Sequence, residues 1–171
     1  MPIRDFPFLR ASDADAMPRP WLLVRINNPD TGEFFRTIGL IDTGADECCL
    51  PATFAPLLGH NLTAGTPKTI NTGNGSTTAY GHTCTIDIFD TLLLLSGQET
   101  IAYTIPQTII DFMPNLHCVL LGVRTFLSGF ELTIDYPRGS GFPSASHELS
   151  AGRFGSTVQT AGDRWMLSLG P

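Results

Sequence analysis

Apolar and polar residues alternate through the middle of the chain, and the period is that of strands. Trp21 to Asn28 and Glu33 to Ile41 each read as a strand. Pro29-Asp30-Thr31-Gly32 between them, with proline early and glycine late, predicts a tight turn and therefore a hairpin. Cys48-Cys49-Leu50 predicts a further short strand, closed by Pro51. From Pro67 to Asp90 the centre is Thr, Asn, Gly and Ser while Thr83-Cys84-Thr85-Ile86-Asp87-Ile88 alternates, so a long hairpin with a polar, glycine-bearing tip is expected. Such a tip has nothing to bury; it projects and moves. Leu92 to Leu95 and Thr100 to Ile105, on either side of Ser96-Gly97-Gln98-Glu99, predict a second hairpin. Only Gly122 to Phe130 has helical spacing, at Val123, Phe126, Leu127 and Phe130, and Glu131 to Tyr136 alternates as a last strand before Pro137. The expected fold class is all-β.

The two ends differ from this core. Residues 1–18 carry Pro2, Pro7, Pro18 and Asp13-Ala14-Asp15 and are expected to be a flexible N-terminal arm; residues 19–137 form the folded domain; residues 138–171 are a Gly/Ser-rich C-terminal extension. The closing Trp165-Met166-Leu167-Ser168-Leu169 either adds a strand or docks on a partner.

Composition narrows the class of partner. A chain of 171 residues with 42% hydrophobic content can enclose one domain with a real core. A net charge of −6 with no basic run removes the electrostatic attraction on which phosphate-backbone binding depends, so no nucleic acid is expected. Leu92-Leu93-Leu94-Leu95 is far too short to span a membrane, and Met1-Pro2-Ile3-Arg4-Asp5 lacks the apolar core of a signal peptide. Cys48, Cys49, Cys84 and Cys118 show no Cys-x-x-Cys spacing and read as buried, reduced thiols of a cytoplasmic protein. His82-Thr83-Cys84 and His117-Cys118 lie in apparent strands, with no spacing that makes ligands converge. No metal or cofactor is implied. His60 and His147 sit in loop-like surroundings and are expected in solvent.

The chemistry-bearing stretch is Thr37-Ile38-Gly39-Leu40-Ile41-Asp42-Thr43-Gly44-Ala45-Asp46, in which an apolar strand runs straight into an acid and is turned by glycine. A carboxylate delivered to the end of a buried strand is costly to keep unless it is used. This string resembles the signature of the retropepsins, the aspartic proteases of retroviral type. Three further segments are similar to that family in the same order. Arg19-Pro20-Trp21-Leu22-Leu23-Val24 resembles its N-terminal strand, Pro67-Lys68-Thr69-Ile70 through Gly73-Asn74-Gly75 its glycine-tipped flap, and Val119-Leu120-Leu121-Gly122 the apolar strand before its short helix. The match spans residues 19–137. After Gly122 the chain reads Val123-Arg124-Thr125-Phe126-Leu127, one residue longer than the usual Gly-x-Asp/Asn-x-Leu. Viral retropepsins use their C-terminus as a dimer strand, whereas here residues 138–171 follow the matching strand.

The resemblance implies a closed acid-protease barrel with one short helix, working as a homodimer on a peptide or protein substrate. It makes Asp42 the catalytic carboxylate, Thr43 the hydroxyl that bonds across the two-fold axis, and Gly44 the turn. Ala45 and Asp46 would hold substrate backbone, with Asp46 facing Arg19 of the partner subunit. Gly73, Asn74 and Gly75 would form the tip of a closing flap. Carboxylate-driven peptide hydrolysis needs two acids, one ionised to take a proton from water and one protonated to hydrogen-bond the scissile carbonyl. The chain has one Asp-Thr-Gly; Asp90-Thr91 continues into Leu92 without the glycine turn, so the second carboxylate must come from a second copy. Two other readings are a catalytically weak binding or dimerisation module of the same fold, and a monomeric β-rich ligand-binding or structural domain in which Asp42 is incidental.

Overall fold

The computed structural model describes residues 2–9, 17–73, 75–90, 93–94, 96–134 and 164–169. Ten strands are present among them: β1 (Pro2–Pro7), β2 (Trp21–Asn27), β3 (Phe34–Ile41), β4 (Cys49–Pro51), β5 (Thr66–Thr72), β6 (Gly75–Phe89), β7 (Ile101–Met113), β8 (Val119–Leu121), β9 (Phe130–Ile134) and β10 (Arg164–Leu169). Alternation explains the largest sheet. Leu22, Val24 and Ile26 of β2, Cys84, Ile86 and Ile88 of β6, and Ile110 and Phe112 of β7 all bury their i, i+2 faces in one shared core. Six strands hydrogen-bond in the order β2-β3-β8-β4-β7-β6, and β6 pairs back with β2, so the sheet closes into a barrel with no open edge. β5 lies outside the closure and pairs with β6 alone.

The hairpin at Pro29–Gly32 forms as its turn residues require, with Gly32 at φ +77° and its N–H bonded to the Asn28 carbonyl at 2.9 Å. The helical segment expected after Gly122 is also present. The N–H groups of Phe126 and Leu127 both bond the Gly122 carbonyl, at 3.2 and 3.0 Å, and a 3₁₀ turn follows at Leu127–Gly129. Phe126 and Leu127 are its buried residues.

The expected hairpin between Leu92–Leu95 and Thr100–Ile105 is not formed. Asp90 accepts the Leu93 N–H on its side chain at 3.0 Å and the Leu94 N–H on its carbonyl at 2.9 Å, which starts a helical turn in place of a strand; Leu92 and Leu95 lie outside the described residues. Ile101 to Ile105 instead joins β7 and pairs with the far half of β6, where Ile86 faces Ile105 and Ile88 faces Tyr103. A long antiparallel partner outcompetes a four-residue local one.

Pro2–Pro7, within the segment expected as an arm, is strand β1, and Arg164–Leu169, within the extension, is β10. They pair with each other, and β10 pairs with β9, in a separate sheet of order β1-β10-β9. Pro2 and Pro7 are tolerated because β1 is an edge strand and needs no donor on its outer side. Phe6, Phe8 and Leu167 reach the same buried cluster as the barrel.

His60, expected in solvent, is half-buried. Its ring stacks on His82 with centroids 4.4 Å apart, both rings meet the edge or face of Phe112, and burial pushes its pKa below the usual 6.5, aided by His82 and opposed by Asp30. His147 lies outside the described residues. The four cysteines are free; Cys48, Cys49 and Cys84 are buried and Cys118 half-buried.

Candidate active site

Strands β3 and β8 run parallel, Ile41 opposite Leu121, so Asp42 and Gly122 leave the barrel at the same end. Asp42 keeps one rung of that pairing through its N–H, bonded to the Leu121 carbonyl at 3.1 Å. The chain then turns. Gly44 donates its N–H to Asp42 Oδ1 at 2.9 Å, and Ala45 donates to the Asp42 carbonyl at 3.3 Å. Asp42 is half-buried while Thr43 and Gly44 are exposed. A hydrogen bond from a backbone amide orients the carboxylate.

The loop is held from the other side by the segment after β8. Val123 and Arg124 donate N–H bonds to the Ala45 and Asp46 carbonyls at 2.9 and 2.7 Å. Gly122 is enforced by this approach, because a Cβ there would lie 2.9 Å from the Ala45 carbonyl oxygen and collide with the Glu47 backbone. The buried Cys48 receives a Gly122 N–H on its sulfur at 3.4 Å and donates its own N–H to Thr125 Oγ1 at 2.6 Å. Arg124 faces Asp46 at 3.7 Å and Glu47 at 3.4 Å, both across solvent-exposed geometry that contributes little. None of Gly122, Arg124, Thr125 or Cys48 was singled out from sequence as a loop-holding residue. Only the small residue at Gly122 carried a signal.

Cys49 leads from the loop into β4 and stands opposite Leu120 of β8. With Ala79 and Met113 it forms a separate buried apolar cluster, against which Ile70, Leu116 and Leu120 pack. Ile70 belongs to β5 and Ala79 to β6, so the long hairpin lies against the floor next to the Asp42 loop. Its far end is solvated. Every residue of β5 but Ile70 is exposed, and Gly73 and Gly75 have open space where a side chain would be. Gly75 sits at φ +110°, which side-chain-bearing residues resist, and accepts the Thr72 hydroxyl on its carbonyl at 2.9 Å. Asn74 lies outside the described residues. Ala45 and Asp46 thus share a loop with Asp42, while Gly73 and Gly75 belong to a different element whose inner face meets that loop's flanking strands.

Among the described residues no group of three or more His, Cys, Asp or Glu is arranged to hold a metal ion, and no helix is long and apolar enough to cross a membrane.

No protein-family model and no curated protein matches the sequence. Among solved structures, the chain is similar to a retropepsin-like aspartic protease from Rickettsia conorii, with 23% identity, a TM-score of 0.49, and 74% of this chain and 90% of that one covered. It is also similar to the EIAV protease complexed with the inhibitor HBY-793, with 20% identity, a TM-score of 0.37, and 61% and 81% covered. The chain itself forms a closed six-stranded barrel, with the Asp-Thr-Gly turn at the end of β3 and the β5–β6 hairpin beside it.

Proposed function

We propose that this chain is an aspartic-type endopeptidase that hydrolyses peptide bonds as a homodimer, with one Asp42 from each protomer holding the attacking water. The observation that carries the reading is the placement of Asp42. A half-buried carboxylate stands at the shared end of two parallel strands, held by the Gly44 N–H while the Asp42 backbone N–H bonds the Leu121 carbonyl, in a loop whose Thr43 and Gly44 are exposed. One such carboxylate is half of the required chemistry. Brought within about 3 Å of its symmetry mate, the pair would share one proton, so that one acid activates water while the other polarises the scissile carbonyl.

The substrate would lie as an added extended strand between the loop-bearing floor and the hairpin. Ala45 and Asp46 would hold peptide backbone, and the tip at Gly73, Asn74 and Gly75 would close over it and exclude water.

The test is cleavage of an unfolded protein substrate by the wild-type chain and by Asp42→Asn, with sedimentation velocity on both. The near-isosteric variant should remain folded and dimeric with turnover abolished. Residual cleavage above about one per cent of wild type would mean that another group is the catalyst. A dimeric wild type that cleaves nothing would favour the binding-module reading, and a monomer the incidental-aspartate one.

A further inference from the structure

Lys68 and Asp111 join the hairpin to the barrel across the point where the two part company. The ladder between β6 and β7 ends at Tyr80 opposite Phe112, whereas β5 and β6 stay paired to the tip. Everything beyond Tyr80 and its partner Pro67 is therefore a two-stranded ribbon with no third strand behind it. Lys68, opposite Ala79, is on the first rung of that ribbon. Its ammonium lies 2.8 Å from Asp111 Oδ2 on β7, inside the three-stranded part.

The register makes this reach possible. Asp111 stands opposite Gly81 on β6, and Gly81 in turn stands opposite Thr66 on β5. A side chain at Gly81 would sit 3.5 Å from Asp111 Oδ1 and 2.8 Å from Ile109, so the glycine leaves the gap over which the lysine crosses a whole strand. The carboxylate is 3% exposed and the lysine side chain 46%. A nearly buried carboxylate is expensive to leave unpaired, and its partner is carried by the two-stranded ribbon, which has no third strand behind it. The hydrogen bond to Asp111 holds the Lys68 ammonium above its usual pKa against the cost of burial, with the charges of Asp111 and Glu47 acting in the same direction.

We propose that Lys68 and Asp111 form an ionic latch across the hinge of the hairpin, biasing it toward the closed position in which Ile70 and Ala79 pack on Cys49, Met113 and Leu120. Lifting the ribbon separates the pair, while water admitted to Asp111 offsets part of the loss. The latch is thus a moderate bias and not a lock. The assignment of a positioning role in catalysis rests on the protease reading above; the latch itself does not.

Hydrogen exchange of the full chain without substrate tests it. In Lys68→Met, amides from Thr69 to Ala79 should exchange roughly three- to tenfold faster than in wild type, with those of β7 and of β6 beyond Tyr80 unchanged, which is the range for a charged hydrogen bond with one exposed partner. Asp111→Asn should give the same local pattern. Raising salt should speed ribbon exchange in wild type and leave Lys68→Met unaffected, a comparison that stands even if Asp111→Asn fails to fold. Unchanged ribbon exchange, acceleration spread evenly over the barrel, or equal salt sensitivity in wild type and variant would each overturn the latch. If wild type cleaves peptides, Lys68→Met should raise KM more than it lowers kcat. An inactive wild type with the local exchange pattern intact would remove the protease reading and leave the latch standing.

Discussion

The Gly122 amide donates to the Cys48 sulfur at 3.4 Å, and that contact sits at the centre of a brace between the Asp42 loop and the helical segment. The brace has little slack. Adding a methyl group in Gly122→Ala would press on the Ala45 and Glu47 backbone, and the loop would have to move. The expected cost is about 1–3 kcal/mol of stability, typical of an overpacked site, measured as a lower denaturation midpoint. Cleavage should fall by more than the unfolded fraction explains, because the displaced residues flank Asp42. An alanine variant with wild-type stability and activity would mean that the close approach is not needed.

Thr125 is a milder test of the same brace. Thr125→Val keeps the shape but removes the oxygen that accepts the Cys48 N–H at 2.6 Å, leaving a donor without a partner. About 1–3 kcal/mol should be lost. Thr125→Ser should restore most of it, since it keeps the hydroxyl. Equal losses in both variants would assign the effect to packing.

Stability and activity should respond to acid in opposite directions. A shared-proton carboxylate pair works best in mild acid. His60, by contrast, is held below the usual 6.5 by burial and by His82, so the folded chain resists a proton that the unfolded chain accepts. Its contribution is whole above that value and is lost as pH falls through the window beneath it. Asp87 adds a second loss further down. Burial pushes its carboxyl up, but hydrogen bonds from Thr104, Asn27 and Arg25 outweigh this and hold it below the usual 3.8, so its contribution is whole above that value and lost as pH drops below it. Melting temperature should therefore decline as pH falls below about 6.5, and more steeply once it falls below about 3.8. His60→Gln should flatten the first decline. A variant whose slope matches wild type would exonerate the stacked pair.

Thiol chemistry should single out Cys118. Burial pushes Cys48 to about 11 and Cys49 and Cys84 to about 12; Cys118 is also raised by burial but is only half-buried. At pH 8 the first three would be thiolate in no more than about one molecule in a thousand. A disulfide-exchange reagent should modify Cys118 first in the native protein and all four after denaturation. Cys118→Ser should delete the fast phase; a persistent fast phase would mean that the core opens readily.

What was legible in the sequence follows from what alternation encodes. β2 and the middle of β6 announce themselves because Leu22, Val24 and Ile26, and Cys84, Ile86 and Ile88, are buried at every second position, and Asp42 because an acid ends an apolar run. Lys68 and Asp111 gave no such signal. Lys68 is an ordinary polar residue of an exposed strand and Asp111 lies buried in β7, and their meeting depends on the register of three strands and on the absence of a side chain at Gly81. The misread hairpin at Leu92–Ile105 has the same root. Local pattern shows that Ile101 to Ile105 is a strand but not that β6 is its partner. β1 was hidden by the prolines at its two ends, which an edge position tolerates.

The count of carboxylates carries the strongest expectation. The sequence holds a single Asp-Thr-Gly, the chemistry needs two acids side by side, and the exposed Thr43 and Gly44 leave the loop open on the side where a mate would approach. A two-fold axis between paired Asp42 side chains makes the interface isologous, each Thr43 against its equivalent. Specific activity should then fall on dilution below the dimer dissociation constant and recover on concentration. Excess Asp42→Asn chain mixed with wild type should suppress activity, because most wild-type chains would sit in heterodimers with one competent carboxylate. At a ninefold excess, random mixing leaves about a tenth of wild-type chains with a wild-type partner, and cleavage per wild-type chain should drop accordingly. Flat specific activity over a hundredfold dilution, together with a monomer in the ultracentrifuge and no poisoning by the variant, would remove the shared-dyad mechanism.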